Sequence, residues 1–247
     1  MRPCPLALAV ALCSGCGAQI SDGSPDLGGI TGPDAGSGGT GTGSGPAPVA
    51  CTRRVVYLNF DGQALVQGPS DATLGQAPWM TTPTGTAPRY RADDADRDPT
   101  IQTIVDGVTA ELARFPITVT RTRPSSSSYV MIVYGGTAGD VGSNFGAAVA
   151  QLDCGDTRPS DVAWISDNVA GQRAINDTLG AIGFGLGLTA TTDVHDCMCG
   201  WDNDCRIDNS APCTLGSPIA RDPDAGQLCP GTTTQDEVAA LRTAFCQ

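Results

Sequence analysis

The sequence is poor in several residue types that build common functional sites. It contains no lysine and a single histidine, His195, among its 247 residues. The missing lysine excludes a Walker-type phosphate loop, and the single histidine excludes any site built from several imidazoles. The net charge of −12 at pH 7 argues against the basic face that nucleic-acid binding requires. No apolar run approaches the ~20 residues of a membrane-spanning helix.

The first residues have the organisation of an export signal. Arg2 precedes a short apolar segment at residues 5–12, and small residues then lead to Cys16. This order predicts a signal peptide at residues 1–16. Because small residues directly before a cysteine resemble a bacterial lipobox, we expect Cys16 to carry a lipid that provides the only contact with a membrane. An ordinary cleaved signal, and hence a freely secreted protein, is the alternative.

Residues 17–50 consist almost entirely of Gly, Ser, Thr, Pro, Ala and Asp. Such a segment buries too little apolar surface to offset its ordering entropy, so we expect a disordered tether. Residues 51–247 are then the folded domain. Hydrophobic residues make up 40% of the chain, which is enough for that domain to have a core of its own.

The cysteine count also favours an exported protein. If Cys4 and Cys13 leave with the signal and Cys16 is acylated, an even number of the 11 cysteines remains. Four disulfides could then form in an oxidising compartment, where the outermost two cysteines could clasp the ends of the domain. The sequence does not select among the pairings. The candidates are Cys51, Cys154, Cys197, Cys199, Cys205, Cys213, Cys229 and Cys246.

The hydrophobic pattern of the folded region predicts alternating strands and helices. A strand at residues 53–60 ends at a turn, and residues 63–97 are expected to form a long irregular loop because they are rich in Pro and Gly. A helix follows, with Asp98 as the expected N-cap and Pro99 in its first turn, and it ends before Pro116. Further strands are predicted at residues 117–122, 129–134, 147–152 and 161–165, with a second helix at residues 171–187.

The C-terminal part consists of a Cys-rich turn (residues 195–205) and a final helix. Thr234 and Glu237 have the spacing of a capping box at the start of that helix. A crossover helix after the first strand favours parallel pairing. We therefore expect one α+β domain, in which two major helices pack against a mixed, mostly parallel sheet. The expected buried stripe of the final helix consists of Val238, Leu241 and Phe245.

This order of elements resembles the catalytic domain of metzincin zinc proteases, most closely the matrixin-like group. In that family the second helix carries the motif H-E-x-x-H-x-x-G-x-x-H, whose histidines bind zinc and whose glutamate activates the zinc-bound water. Residues 179–190 align with the motif, and Gly187 and Leu188 match its glycine and the leucine that commonly follows. Met198 lies eight positions after Ala190, the interval usual for the methionine turn beneath the zinc site.

The resemblance implies the fold of this family without its chemistry. Gly180, Phe184 and Ala190 occupy the zinc-ligand positions, and Ala181 occupies the position of the general base. None of these side chains has a lone pair to bind zinc or to accept a proton. We therefore expect no catalytic residue, no bound metal and no protease activity. The protein would be a pseudoprotease in the cell envelope or outside the cell.

The same resemblance implies a binding function. Inactive proteases often keep the groove in which an extended peptide pairs with an edge strand. Here the edge strand is expected at residues 147–152, with Ala148, Val149 and Ala150 lining the groove. The expected partner is a peptide or a protein, and the oligomeric state is left open. A structural envelope protein without a ligand is one alternative.

Two other groups of residues could bind a metal. His195 with Cys197, Cys199 and Cys205 would suit tetrahedral zinc, although disulfides are the expected state of cysteines in an exported protein. A divergent metal-dependent hydrolase that uses His195 and acidic residues is the second functional alternative. No cofactor is expected, with calcium in an acidic loop as the alternative, although the first loop lacks the glycine and glutamate of a standard calcium loop. The two acidic loops contain Asp94, Asp96 and Asp98, and Asp202, Asp204 and Asp208.

Overall fold

The computed structural model describes residues 54–125, 128–158 and 160–244. The predicted signal with Cys16, the predicted tether, Phe245, and the cysteines Cys51 and Cys246 lie outside these residues. In chain order the elements are β1 (Arg54–Asn59), β2 (Gln63–Gln67), β3 (Gln76–Ala77), β4 (Thr84–Ala87), α1 (Arg97–Leu112), β5 (Ile117–Thr120), β6 (Val130–Tyr134), α2 (Ala138–Val141), β7 (Ala148–Val149), β8 (Val162–Ile165), α3 (Gly171–Gly185), β9 (Ile219–Ala220), a 3-10 helix (Pro223–Gln227), β10 (Thr234–Gln235) and α4 (Glu237–Ala244).

A five-stranded sheet forms the centre of the fold, with the strand order β5–β1–β6–β8–β7. Four of its strands run parallel, and β7 at one edge pairs antiparallel with β8. All five residues of β6 are buried, as are all four of β8. Strands buried on both faces are typical of a parallel sheet that is covered from both sides. The predicted α+β class with a mixed, mostly parallel sheet is therefore confirmed.

The two long helices, α1 and α3, pack on one face of this sheet. Their apolar residues recur at helical spacing and contact the inward side chains of β1 and β6. A Cβ atom at Gly107 of α1 would overlap the side chain of Ile175 on α3. The missing side chain therefore lets the two helices pack closely. The core residues of the helices are Ile101, Ile104, Val108 and Leu112 of α1 and Ile175, Leu179 and Ile182 of α3.

The other face of the sheet is covered by the segment predicted to be an irregular loop. That prediction for residues 63–97 is wrong, because β2, β3 and β4 form a three-stranded sheet there, in the order β3–β2–β4. Leu65, Trp79 and Met80 of this segment pack with Trp164 of β8 in a second core. The strands are short and separated by Pro and Gly, so they show too little alternation to be recognised as strands.

The predicted N-cap of the first long helix is wrong by two residues. α1 begins at Arg97, and Asp98 lies in its first turn. The Arg97 guanidinium anchors this end, since it donates hydrogen bonds to the carbonyl oxygens of Tyr90 (2.7 Å) and Phe60 (2.9 Å). A contact between distant segments therefore sets the start of the helix.

The capping box predicted at Thr234 and Glu237 does not form either. Thr234 lies in β10, where it pairs with Ala220 of β9. Asp236 caps α4 instead, because its carboxylate accepts the backbone N–H of Ala239 at 2.8 Å. Glu237 points into the interior, where its side chain has a different role, described below.

Three disulfides join described residues, which confirms the disulfide prediction for six of the eight candidates. They indicate an oxidising environment, extracellular or in the cell envelope. None of the described helices is both long enough and apolar enough to cross a membrane. The pairs are Cys154–Cys229, Cys197–Cys213 and Cys199–Cys205.

Candidate functional site

The second half of α3 packs so closely against the Cys-rich turn that a Cβ atom is excluded at two helix positions. A Cβ at Gly180 would lie 2.6 Å from the carbonyl oxygen of Cys197 and would overlap the indole of Trp201. A Cβ at Gly183 would lie 2.6 Å from the sulfur of Met198. These two glycines are therefore packing residues, and they bring the turn against the helix.

Large apolar side chains fill the space beside the two glycines. The rings of Phe184 and Trp201 lie 5.5 Å apart between centroids, with an interplanar angle of 38°. Phe184 also packs with Leu188 and with Met198, which is fully buried. We call Phe184, Leu188, Met198 and Trp201 the apolar cluster. Aromatic, aliphatic and thioether groups of this kind offer no set of ligands for zinc.

The other two motif positions lie apart from this cluster. Ala181 packs in the main core between α3 and the central sheet. Ala190 is buried, and its carbonyl oxygen accepts the backbone N–H of Asp222 at 2.8 Å. The structure therefore brings Gly180, Phe184 and Met198 to one place, whereas Ala181 and Ala190 contact different neighbours.

Three cavities follow one another along the chain past the apolar cluster, and we call them together the groove. Their volumes are about 320, 390 and 220 Å³. β7 borders the first two cavities, and the contacting rings of Trp201 and Phe184 border the first and the second cavity respectively. The second and third cavities share Asp202 and Leu228 in their walls. The groove thus follows the chain from β7 toward the C-terminal segment.

The edge strand β7 is shorter than the predicted strand at residues 147–152, because only two residues pair with β8. The chain then leaves the sheet, and the N–H of Asp153 bonds to the carbonyl oxygen of Phe184 at the end of α3 (3.2 Å). The three residues predicted to line a peptide groove border two of these cavities. Ala148 lines the first cavity, and Val149 and Ala150 line the second.

One edge of β7 has no partner strand among the described residues. The carbonyl oxygen of Ala147 accepts the N–H of Ser166 at 2.7 Å, so the backbone of Ala147 faces β8. Because backbone groups alternate in direction along a strand, the N–H and C=O of Ala148 face away from β8. An extended chain could pair with them.

Two buried carboxyl groups lie on the other side of the Cys-rich turn. Asp196 and Glu237 both have no exposed surface. Asp196 accepts hydrogen bonds from the Thr191 hydroxyl (3.0 Å) and the Met198 N–H (2.8 Å). Glu237 accepts hydrogen bonds from the Gly216 N–H (2.7 Å) and from Gln235 Nε2 (2.8 Å). Burial and the nearby Asp196 carboxylate raise the pKa of Glu237 to about 8. Burial also raises the pKa of Asp196. The pair therefore retains a proton at neutral pH.

A group of three carboxylates that sequence reasoning did not bring together lies at the start of β8. Asp153, Asp156 and Asp161 each place one oxygen within 4.8 Å of the others. Arg54 makes two 2.8 Å hydrogen bonds to Asp156, and Arg158 lies 3.7 Å from Asp161. Burial raises the pKa of Asp161 to about 7. The two guanidinium groups already supply the counter-charge that a cation would bring.

The zinc site considered for His195 does not form, because Cys197, Cys199 and Cys205 are all disulfide-bonded. The side chain of His195 is 64% exposed, and its Nδ1 lies 3.8 Å from Asp208. His195 lines none of the three cavities of the groove. It is a surface residue of the turn.

The two acidic loops considered for calcium do not form ligand sets in the part of the chain that the structure describes. In the first loop, Asp94 and Asp96 lie 2.6 and 3.7 Å from the guanidinium of Arg91, and Asp98 lies 3.2 Å from that of Arg97. Ion pairs with arginine therefore account for these carboxylates.

Sequence reasoning missed Trp201 and Glu237. Trp201 belongs to no recognised motif, and its only signal is a large aromatic residue within a polar, Cys-rich segment. Glu237 was assigned to a capping box from its spacing to Thr234, so its interaction with Asp196 was not predicted. Both residues act through neighbours that are distant in sequence.

No protein-family model matches the chain, and a search of curated proteins finds no match either. The function is therefore inferred from the residues of the site itself.

Proposed function

We propose that the protein is an exported, lipid-anchored, non-catalytic domain that binds extended peptides, with a metzincin-like fold and no zinc protease activity. The observation that carries this proposal is that the apolar cluster borders a groove with an unpaired strand edge. Phe184 and Trp201 cannot hold a metal ion, but they supply the apolar surface that is typical of ligand sites.

The contact between Met198 and α3 supports the metzincin likeness. In the sequence alignment, Met198 is the expected methionine turn beneath the site. Met198 is fully buried. Its sulfur can lie this close to α3 only because residue 183 is a glycine and has no side chain. The frame of the motif therefore has a packing role that does not depend on zinc.

The backbone of β7 supports an extended ligand. A peptide strand added along its free edge would pair with the outward N–H and C=O of Ala148, and each such hydrogen bond contributes about 1 kcal/mol net. Alternate side chains of the peptide would then point into the cavities of the groove. Backbone pairing gives affinity, and the cavities select the side chains.

The hydrolase alternative has less support. His195 is exposed and has one carboxylate within 4 Å, that of Asp208. It lies outside the groove, so a substrate bound beside the apolar cluster would not contact it. Loss of a measured activity in His195→Ala would favour this alternative.

The first test is metal content, measured by inductively coupled plasma mass spectrometry on oxidised protein purified without chelator. We expect zinc well below one ion per chain. Zinc near one per chain would contradict the proposal, and protease assays would then follow.

The second test is peptide binding, followed through the fluorescence of Trp201, with Trp201→Phe as the control for the signal. We expect a panel of nine-residue peptides with blocked ends to contain ligands. Ala148→Pro, which removes the outward N–H, should weaken their binding about 5-fold, whereas Ala148→Val, which keeps it, should not. A panel without any ligand would favour a structural protein.

A further inference from the structure

The two ends of the groove carry opposite charge. At one end, the first cavity is lined by Arg173, Arg206 and Asp177. Arg173 lies 3.5 Å from Asp177, whereas the exposed Arg206 forms no ion pair within the described residues. Burial raises the pKa of Asp177 to about 6, which lowers its negative charge in mildly acidic solution. This end therefore has a net positive charge, and Arg206 is available to a ligand.

The opposite end is acidic. The third cavity is lined by Asp202, Asp222 and Asp224, and no basic side chain lines it. The nearest arginine in sequence, Arg221, directs its guanidinium to backbone carbonyl oxygens, including that of Cys229 at 2.7 Å. The guanidinium of Arg221 is therefore directed away from the cavity. Asp222 accepts hydrogen bonds from Asn203 Nδ2 (3.0 Å) and the Asp224 N–H (2.9 Å), but no guanidinium within the described residues forms an ion pair with the three carboxylates.

The middle of the groove is apolar. The second cavity is lined by large apolar side chains, among which Phe145 and Leu228 are 56% and 43% exposed. Exposed apolar groups beside a cavity are typical of a binding surface. The apolar lining consists of Trp79, Phe145, Val149, Leu152, Phe184 and Leu228.

The direction of β7 relates these charges to the direction of a bound peptide. The first residue of β7, Ala148, lies at the positive end, and Val149 and Ala150 lie at the apolar middle. A peptide that pairs antiparallel with β7 therefore enters at the acidic end and leaves at the positive end. Antiparallel pairing is the slightly more stable arrangement per residue.

We propose that the groove selects peptides with a basic residue near the amino end, a large apolar residue in the middle and an acidic residue near the carboxyl end. This inference rests on the proposed peptide-binding function. The acidic residue contacts Arg206, the apolar residue enters the cavity beside Phe184, and the basic residue lies among Asp202, Asp222 and Asp224.

The test uses nine-residue peptides with acetylated and amidated ends, in which lysine, leucine and glutamate are separated by threonine and valine. A second peptide has the same composition with lysine and glutamate exchanged. We expect the first peptide to bind about 10-fold more tightly, because the exchange places like charges together at both ends. Equal binding of the two peptides would overturn the inference and leave the proposed function standing.

Reversing the charge of Arg206 and of the peptide residue that it contacts tests whether Arg206 binds the acidic residue of the peptide. Arg206→Glu should weaken the first peptide about 5-fold, and a peptide with lysine in place of its glutamate should recover that loss. Arg242→Glu on α4 makes the same charge change outside the groove and should leave both affinities as they are. If Arg206→Glu has no larger effect than Arg242→Glu, the inference is wrong. If no peptide of the set binds, the proposed function fails with it.

Discussion

The apolar cluster and the buried pair Asp196–Glu237 hold the same turn from two sides by different physical means. Phe184, Trp201 and their neighbours contact it through close packing, which does not depend on protonation. The carboxyl pair contacts it through hydrogen bonds, with Asp196 accepting the N–H of Met198 at 2.8 Å. The strength of the first contact depends on the fit of the side chains, and that of the second depends on the protonation of the carboxyl groups.

The two kinds of contact lie on different sides of the turn, the apolar cluster beside the groove and the carboxyl pair in the interior. Gly180 and Phe184, at two positions aligned with zinc ligands of the metzincin motif, lie on the groove side, where the apolar cluster has no ionisable side chain. The fully buried carboxyl groups of Asp196 and Glu237 lie on the interior side, where they are shielded from water and hold a proton. The turn can therefore keep its conformation without a metal ion.

The largest expected effect comes from breaking the close packing. Gly180→Ala should lower the free energy of unfolding by about 3 kcal/mol, because the added Cβ would lie 2.6 Å from the Cys197 carbonyl oxygen. Gly139→Ala is the matched control, since its nearest neighbour would be 3.8 Å away. Urea unfolding measures both. A Gly180→Ala variant as stable as the control would show that the helix and the turn are not in close contact.

The carboxyl pair predicts an intermediate, pH-dependent effect. Its pKa values are raised in the folded state, so the folded protein holds a proton that the unfolded chain releases above about pH 4.5. The stabilisation is complete below that pH and is lost as the pH rises through about 8, the pKa of Glu237. Within this range the free energy of unfolding should fall by at most about 1.4 kcal/mol per pH unit, the linkage limit for one proton.

Melting temperatures across this pH range measure the effect. Glu237→Gln should flatten the dependence, because the amide keeps an acceptor for the Gly216 N–H and does not titrate. Asp161 and Asp177, with pKa values raised to about 7 and about 6, contribute in the same direction and leave a residual slope. Asp208→Asn, at an exposed carboxyl group, is the control. An unchanged slope in Glu237→Gln would remove the carboxyl pair as the cause.

The smallest effect distinguishes the observed helix cap from the predicted one. Asp236→Ala should cost about 1 kcal/mol, since Asp236 accepts the N–H of Ala239 at the start of α4. Thr234→Ala should be close to neutral, because Thr234 caps no helix. Thermal unfolding compares the two variants. A larger loss of stability in Thr234→Ala than in Asp236→Ala would instead support the predicted capping box at Thr234 and Glu237.

Local patterns predicted the long and strongly apolar elements well. The strand now seen as β1 and the helices α1 and α3 have repeated apolar residues at strand or helix spacing, so near neighbours in sequence report their burial. The same reasoning failed for residues 63–97, because β2, β3 and β4 have two to five residues each and gain stability only by packing on the central sheet.

For the candidate site, the residue identities could be predicted from the sequence, and their contacts could not. The alignment placed Gly180, Phe184 and Met198 at positions of interest, and all three meet at the Cys-rich turn. Trp201 was missed because its contacts with Gly180 and Phe184 span about 20 residues, far beyond any helical or strand period. The ion pair between Arg54 and Asp156 was missed for the same reason, because these residues are 102 positions apart in the chain.

By itself, the sequence determined that the four positions aligned with the metzincin motif hold glycine, alanine and phenylalanine, whose side chains supply no metal ligand and no base in any conformation. It also determined the buried strands and helices, because their apolar periodicity is a local property. Only the tertiary structure decided which cysteines pair, which side chains fill the space beside Gly180, and which carboxyl groups retain protons. Those outcomes depend on distances between segments far apart in the chain, and burial at such contacts sets both the packing and the pKa values.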